Sequence, residues 1–317
     1  MTKRHDLVTL GEVLLRLSLP SPHRFETARQ LDVQIGGAEA NVAAAAARLG
    51  LRSAWISALP ANAWGERVRR ELVGHGIDCT GVRVIDDARL GTYFLEYGAP
   101  PRPIRVLYDR RDSAFARLTA ADVDWTPVRR ARVVHLSGIT PALGPASRGL
   151  IERAVKEAAE LSFDLNYRAT LWPPDQARAF AAGVLPRARY LFIGAEEARI
   201  VFGVDGAPED VLAALARLAP KATIALMQGA DGCTVLDDGR ILRPRYRHTV
   251  HVVDPIGAGD AYVGGFLWAL LSGRDVPDSI DAGQAVAALK CSMWGDIALV
   301  SARDVEELLA GGPAVRR

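Results

Sequence analysis

An α/β fold, a mostly parallel sheet flanked by helices on both faces, is predicted by two observations. Short apolar strand-like runs alternate with helix-like runs along most of the 317 residues. That order joins parallel neighbours through helical crossovers. Two segments, 13–34 and 92–112, break the rhythm with extended chain and turns but no helix. They predict a small β element over one end of the main sheet. Residues 1–317 therefore read as a single domain carrying that appendage.

The elements follow in order. Leu7-Val8-Thr9-Leu10 is a short apolar strand closed by Gly11-Glu12. An alanine-rich helix covers 42–49 and stops at Gly50. A strand at 53–59 leads to a helix at 65–75, ended by Gly74 and Gly76. Strand 133–138, helix 147–161 and strand 162–164 resume the alternation. A strand at 190–193, helices at 196–202 and 208–218, and a strand at 223–227 continue it. Thr249-Val250-His251-Val252-Val253 has strand-like composition. No repeat or low-complexity linker interrupts the chain.

Composition excludes several function classes. Hydrophobic content of 49% with 24% charged residues describes a soluble globular protein. A net charge of +2 without blocks of like charge suggests neither nucleic acid nor a membrane surface as partner. Only four of the 39 basic residues are lysines. Cys79, Cys233 and Cys291 are isolated, which argues against a disulfide framework or structural zinc and fits a reducing cytoplasm. Residues 1–19 lack a signal-peptide pattern, and no apolar run reaches membrane-spanning length. His248 and His251 have no convergent third ligand.

The chemistry concentrates in Asp254-Pro255-Ile256-Gly257-Ala258-Gly259-Asp260, which runs into an apolar helix. Small residues there let a polyanion approach the backbone, where free N–H groups and the helix dipole point at it. A carboxylate suits an anion pocket only if it handles a proton. Asp260 is therefore a candidate general base beside an anion hole of Gly257, Ala258 and Gly259. That arrangement moves a phosphoryl group onto a hydroxyl. A dinucleotide fingerprint fails because Tyr262 stands where a third glycine is needed. No Gly-x-x-x-x-Gly-Lys-Ser/Thr phosphate loop exists either.

With Gly36-Gly37-Ala38-x-x-Asn41 near its start and this motif near its end, the chain resembles the ribokinase-like (PfkB-type) carbohydrate kinases over nearly its whole length. The resemblance implies a Rossmann-type core that holds ATP and a small β-sheet lid, about 13–34 and 92–112, that covers the sugar. His135-Leu136-Ser137-Gly138-Ile139-Thr140-Pro141-Ala142-Leu143 and Phe163-Asp164-Leu165-Asn166-Tyr167-Arg168-x-x-Leu171-Trp172 look like 2-keto-3-deoxygluconate kinases in particular. Tyr93, Arg105-Val106-x-Tyr108-x-Arg110 and Trp294-Gly295-Asp296 point the same way. Fructokinase-like relatives share part of the Asn-Tyr-Arg and Leu-Trp signature, so the substrate is narrowed but not fixed.

Roles follow from the resemblance, residue by residue. Asp260 would orient and deprotonate the attacking hydroxyl, and Gly257, Ala258 and Gly259 would cradle the γ-phosphoryl. Gly36, Gly37 and Asn41 would contact sugar hydroxyls, with Tyr93 and Tyr108 as phenol donors. Arg110 and Arg168 would grip the carboxylate of an acid sugar. Asn166, Gly229, Asp231 and Gly232, with Gly257 and Gly259, would bind the nucleotide. Glu197 would reach Mg²⁺ through water, or serve as a first-turn helix acid. Asp254 stands near a monovalent-cation loop (K⁺), or is a turn-forming carboxylate. Gly194, Met227 and Gln228 depart from the family pattern, Gly194 at a polar contact to the phosphates that is lost unless water replaces it, and Met227 with Gln228 at one charge contact.

Three readings stay open. The first is an ATP-dependent kinase of 2-keto-3-deoxygluconate, cytoplasmic and homo-oligomeric through the lid. The second is a fructokinase- or ribokinase-type kinase of a neutral sugar, with no use for the Arg110–Arg168 pair. The third is a weakly catalytic sugar-binding regulator, which the intact Asp260 opposes.

Overall fold

The computed structural model describes residues 5–20, 23–98 and 101–311. The first seven strands are β1 (Leu7–Leu10), β2 (Leu14–Leu19), β3 (Asp32–Gly36), β4 (Ser53–Pro60), β5 (Val82–Ile85), β6 (Thr92–Glu96) and β7 (Arg105–Asp109). Then come β8 (Val133–Ser137), β9 (Leu161–Asp164), β10 (Ala188–Gly194), β11 (Thr223–Met227), β12 (Cys233–Asp237) and β13 (Arg240–Leu242). The helices begin with α1 (Ala38–Arg48), α2 (Ala63–Gly74), α3 (Thr126–Arg130), α4 (Pro145–Glu157) and α5 (Pro174–Val184). They end with α6 (Ala195–Glu197), α7 (Pro208–Leu218), α8 (Ala258–Leu271), α9 (Val276–Cys291) and α10 (Ala302–Leu309).

Nine strands form the main sheet in the order β13-β12-β11-β10-β9-β8-β1-β4-β5. It is parallel from β11 to β5, with β12 and β13 antiparallel at one edge. Side chains along each central strand alternate between two apolar layers. Val8, Leu10, Val134, Leu136, Leu191 and Ile193 face α4, α5 and α7. Leu7, Val133 and Phe192 face α1, α8 and α9. Burial on both faces explains why these strands read as continuous apolar runs. Among the described residues no helix is long and apolar enough to cross a membrane.

The two segments without helices supply every strand of a second sheet, ordered β3-β2-β6-β7. Only β2 and β6 run parallel in it. Two expectations need correction. The stretch 249–253 forms no strand: Val252 is exposed, and the chain is anchored by the Val253 N–H donating to Cys291 O at 2.8 Å. The helix predicted to reach 161 ends at Glu157, because Leu161 already belongs to β9. The β12–β13 hairpin was not anticipated, although its Asp238-Gly239 turn, with φ of 46° and 75°, is a common hairpin signal.

Helix α8, which carries Asp260, crosses α1 at very short range. A Cβ on Gly264 would come within 2.6 Å of Ala45 Cβ and 3.2 Å of Val42 O. Glycine is required there so that the two helices can touch. Gly264→Val should overpack this crossing and cost about 1–3 kcal/mol, read by denaturant unfolding. An unchanged midpoint would show that α1 and α8 separate freely.

Candidate active site

The carboxyl ends of β1, β8, β9, β10 and β11 share one edge of the main sheet. The winding reverses between β1 and β8, which opens a crevice where α/β sheets bind ligands. The N-terminus of α8 enters that region, and the small sheet is tied to it through Arg16 and Tyr93.

Gly257 caps α8 with φ +84°, and a Cβ there would lie 2.2 Å from Asp296 O. Both conditions demand glycine. The N–H groups of Gly257, Gly259 and Asp260 find no acceptor among the described residues, so they remain available to an anion. Ala258 differs from expectation. Its N–H closes the turn onto Pro255 O at 3.2 Å, leaving fewer donors than the sequence suggested. Asn41 Nδ2 donates to Asp260 Oδ2 at 2.8 Å, so this residue fixes the carboxylate rather than standing free for sugar. Burial raises the Asp260 pKa to about 7; Asp296 and Glu39 push the same way against Asn41 and Arg168.

A second group of acids lies at the ends of β9 and β10. Asp164 is raised well above the usual carboxylate range by burial, with repulsion from Glu197 and Asp260. Glu197 is also raised by burial. Its Oε2 accepts the Gly194 N–H at 2.9 Å, and Arg168 lies 3.8 Å from its Oε1. Asn166, held at φ +43°, donates from Nδ2 to Asp164 Oδ2 at 3.1 Å. Among the described residues no three His, Cys, Asp or Glu side chains gather to hold a metal directly. Next to Gly194 in register, Met227 opens the turn Gly229–Asp231, closed by Gln228 N–H onto Gly232 O at 2.8 Å. Gly229 and Asp231 are exposed there.

On the small-sheet side, several expected sugar ligands already have partners. Arg110 donates through Nε to Glu12 Oε2 at 2.8 Å and stacks over Tyr108. The Tyr93 hydroxyl donates to Asp296 Oδ1 at 2.7 Å, whereas Tyr108 is exposed. Gly36 permits close packing: a Cβ would meet Asp296 Oδ2 at 2.2 Å. Gly37 does the same against Glu12 O at 2.2 Å. Asp254 is fully buried, and its carboxylate accepts from Arg16, from Gly295 N–H at 3.0 Å and from Ile256 N–H at 2.9 Å. It is built into a turn and an ion-pair cluster, which favours the turn-forming alternative over an open cation ligand.

A helix terminus with free N–H groups beside a raised carboxylate would suit group transfer. The pfkB family carbohydrate kinase model matches residues 4–303. The chain belongs to this family. The 2-dehydro-3-deoxygalactonokinase of Haloferax volcanii is 40% identical, covering 98% of both chains. The 2-dehydro-3-deoxygluconokinase of Thermoproteus tenax is 34% identical over 96% of this chain and 94% of its own. The crystal structure of the 2-dehydro-3-deoxygluconokinase from Thermotoga maritima superposes with a TM-score of 0.89. It is 32% identical, covering 96% of this chain and 99% of that one.

Sequence reasoning missed four residues around this carbohydrate kinase's cleft. Arg16 is fully buried and bridges Asp254 and Asp296. Lys290 is fully buried against Asp254. Glu12 holds Arg110, and Glu39 accepts from Ser137 Oγ at 2.8 Å and Thr140 Oγ1 at 2.7 Å. A charge inside Leu14-Leu15-Arg16-Leu17, and a scarce lysine after Val286-Ala287-Ala288-Leu289, were signals available in the chain.

Asp260→Asn should keep the fold but lose ~10²–10⁴ in kcat, the usual contribution of a positioned base. Retention of more than about a tenth of kcat would remove Asp260 from that role. Only the deprotonated form accepts a proton, so wild-type kcat/KM should climb with pH through about 7 and then level. An identical acid limb in the residual activity of Asp260→Asn would assign the limb to another group.

Proposed function

We propose that this carbohydrate kinase transfers the γ-phosphoryl of ATP to a hydroxyl of 2-keto-3-deoxygluconate. One observation carries the acid-sugar reading. Arg168 lies just past β9, is 43% exposed at its side chain, and acts electrostatically on Asp260. It is a cation available to a substrate carboxylate close to the base. Arg110 is a weaker candidate because Glu12 already neutralises it. The names of the Thermoproteus and Thermotoga relatives support the same substrate class. The Haloferax relative's name supports a second reading, the galactonate counterpart. Assaying both acids side by side separates the two.

In the proposed reaction the sugar hydroxyl lies between Asp260 and the γ-phosphoryl. Its oxygen forms the new P–O bond, the bond to the ADP oxygen breaks, and Asp260 takes the hydroxyl proton. Free N–H groups at the start of α8 stabilise the charge that develops on the phosphoryl oxygens. The turn at 229–232 would carry ADP. Asp164 and Glu197 would face Mg²⁺ through water, near Asn166. Their mutual burial and repulsion are relieved by a divalent cation, which neutralises phosphate charge when bound. Three free cysteines support a reducing cytoplasm as the site of action.

Arg168→Ala should hurt the acid sugar far more than a neutral ketose, since a carboxylate stripped of water and partner costs ~2–5 kcal/mol. Equal losses in kcat/KM for both would move the assignment to a neutral-sugar kinase.

The small sheet is proposed to act as the lid. Arg16 pins β2 and Tyr93 pins β6 to the core, so closure falls to β7. Leu107, exposed on edge strand β7, supports a second copy of the chain along this sheet. Sugar should protect the β7 amides from hydrogen exchange, whereas ATP alone should protect 227–232 and 257–260. Protection of β7 by ATP alone would put the nucleotide under the lid. Protection that never responds to protein concentration would remove the interface from β7.

A further inference from the structure

Asp254 stands three residues before Gly257, and every oxygen it offers is already used by the protein. Lys290, at the end of α9, is fully buried. Its Nζ donates to Asp254 O at 2.8 Å and lies 3.8 Å from Oδ1. Oδ1 also accepts the Ile256 N–H, and Oδ2 accepts from Arg16 and the Gly295 N–H. A potassium ion seated on this carboxylate and carbonyl would have to displace the ammonium.

Charge leads to the same result. Arg16 and Lys290 face Asp254 and Asp296, two positive groups against two negative ones, and all four are buried. Adding a monovalent cation would leave an unpaired charge in a site shielded from water, which is strongly unfavourable. Removing the lysine charge would leave the same shell one positive charge short. A carbonyl oxygen and a carboxylate would then point into the vacated space.

We propose that Lys290 is a tethered monovalent cation, a positioning residue whose ammonium holds the 254–257 turn and makes turnover independent of K⁺. It touches no reacting atom. Its effect passes through Asp254 to Ile256 N–H and the turn that ends in Gly257, hence to the donors at the start of α8. The proposal rests on this loop being the phosphate-binding loop, not on which sugar is used.

The test compares KCl with tetramethylammonium chloride at matched ionic strength, reading ADP release with whichever sugar supports turnover. Wild-type rates should agree within about twofold, and activation by K⁺ of more than about tenfold would overturn the proposal. Lys290→Ala should lose at least about tenfold in kcat in tetramethylammonium and regain most of it with K⁺ or ammonium. Lys290→Met, which fills the space without charge, should lose as much and not be rescued. A melting series without substrate reads the same site independently of any sugar assignment. K⁺ should raise the Tm of Lys290→Ala and leave the wild type unmoved. Indifference of Lys290→Ala to K⁺ in both readouts would make Lys290 a structural lysine only. If that variant does not fold in either salt, the wild-type comparisons still decide.

Discussion

The buried cluster of Arg16, Lys290, Asp254 and Asp296 is the interaction on which the rest of this architecture depends. Arg16 comes from β2 of the small sheet, Lys290 from α9, and the two aspartates from loops flanking α8 and α9. Four parts of the chain that share no hydrogen-bonded strand are thereby held in one place. Taking one partner away from such a group costs ~3–5 kcal/mol, because the remaining charges stay buried without compensation. The small sheet is thus joined to the core by charge pairing that is satisfied only in one relative placement.

Local features of the cleft follow from that constraint. Asp296 can reach Arg16 and Tyr93 only because Gly36 presents no Cβ in its path. The backbone of the same residue presses against Gly257, which must take a left-handed conformation to start α8. The glycines flagged in the sequence as ligand contacts therefore have a second reason to be glycine. They let a buried carboxylate and a helix terminus pack within van der Waals range. Asp296 in turn contributes to the raised pKa of Asp260, so the clasp also tunes that carboxylate.

Much of the fold was legible, since strands buried on both faces and alanine-rich helices leave strong apolar periodicity. The Asp254–Asp260 motif was legible for a different reason, because small residues before a helix have few other uses. What escaped were relations between distant parts of the chain. Nothing local says that Arg16 pairs with residues more than two hundred positions away, or that Asn41 grips Asp260. The strand-like 249–253 failed because β-propensity measures fit to a pleated neighbour, and no neighbour is there. Nor does the local sequence say that Glu12 stands beside Arg110 or Asp296 beside Tyr93.

The cleft divides its charge into two regions with Asp260 between them. On one side the four-charge cluster pairs two positive with two negative groups in a closed, buried arrangement, so its field is short-ranged. On the other, Asp164 is buried and Glu197 half-buried, and burial raises both carboxylates despite Arg168 nearby. A site that transfers a phosphoryl group needs both conditions. Under the proposed reaction, the donors that would hold the phosphate must not move, while the end that would take the nucleotide must want a cation that arrives with its substrate. Asp260 senses both regions through Asn41, Asp296 and Arg168, and its pKa near 7 is the balance of burial and Asp296 against Asn41 and Arg168. Positive charge brought close to Asp260 would lower that pKa and negative charge would raise it, so the carboxylate responds to whatever charge enters the cleft.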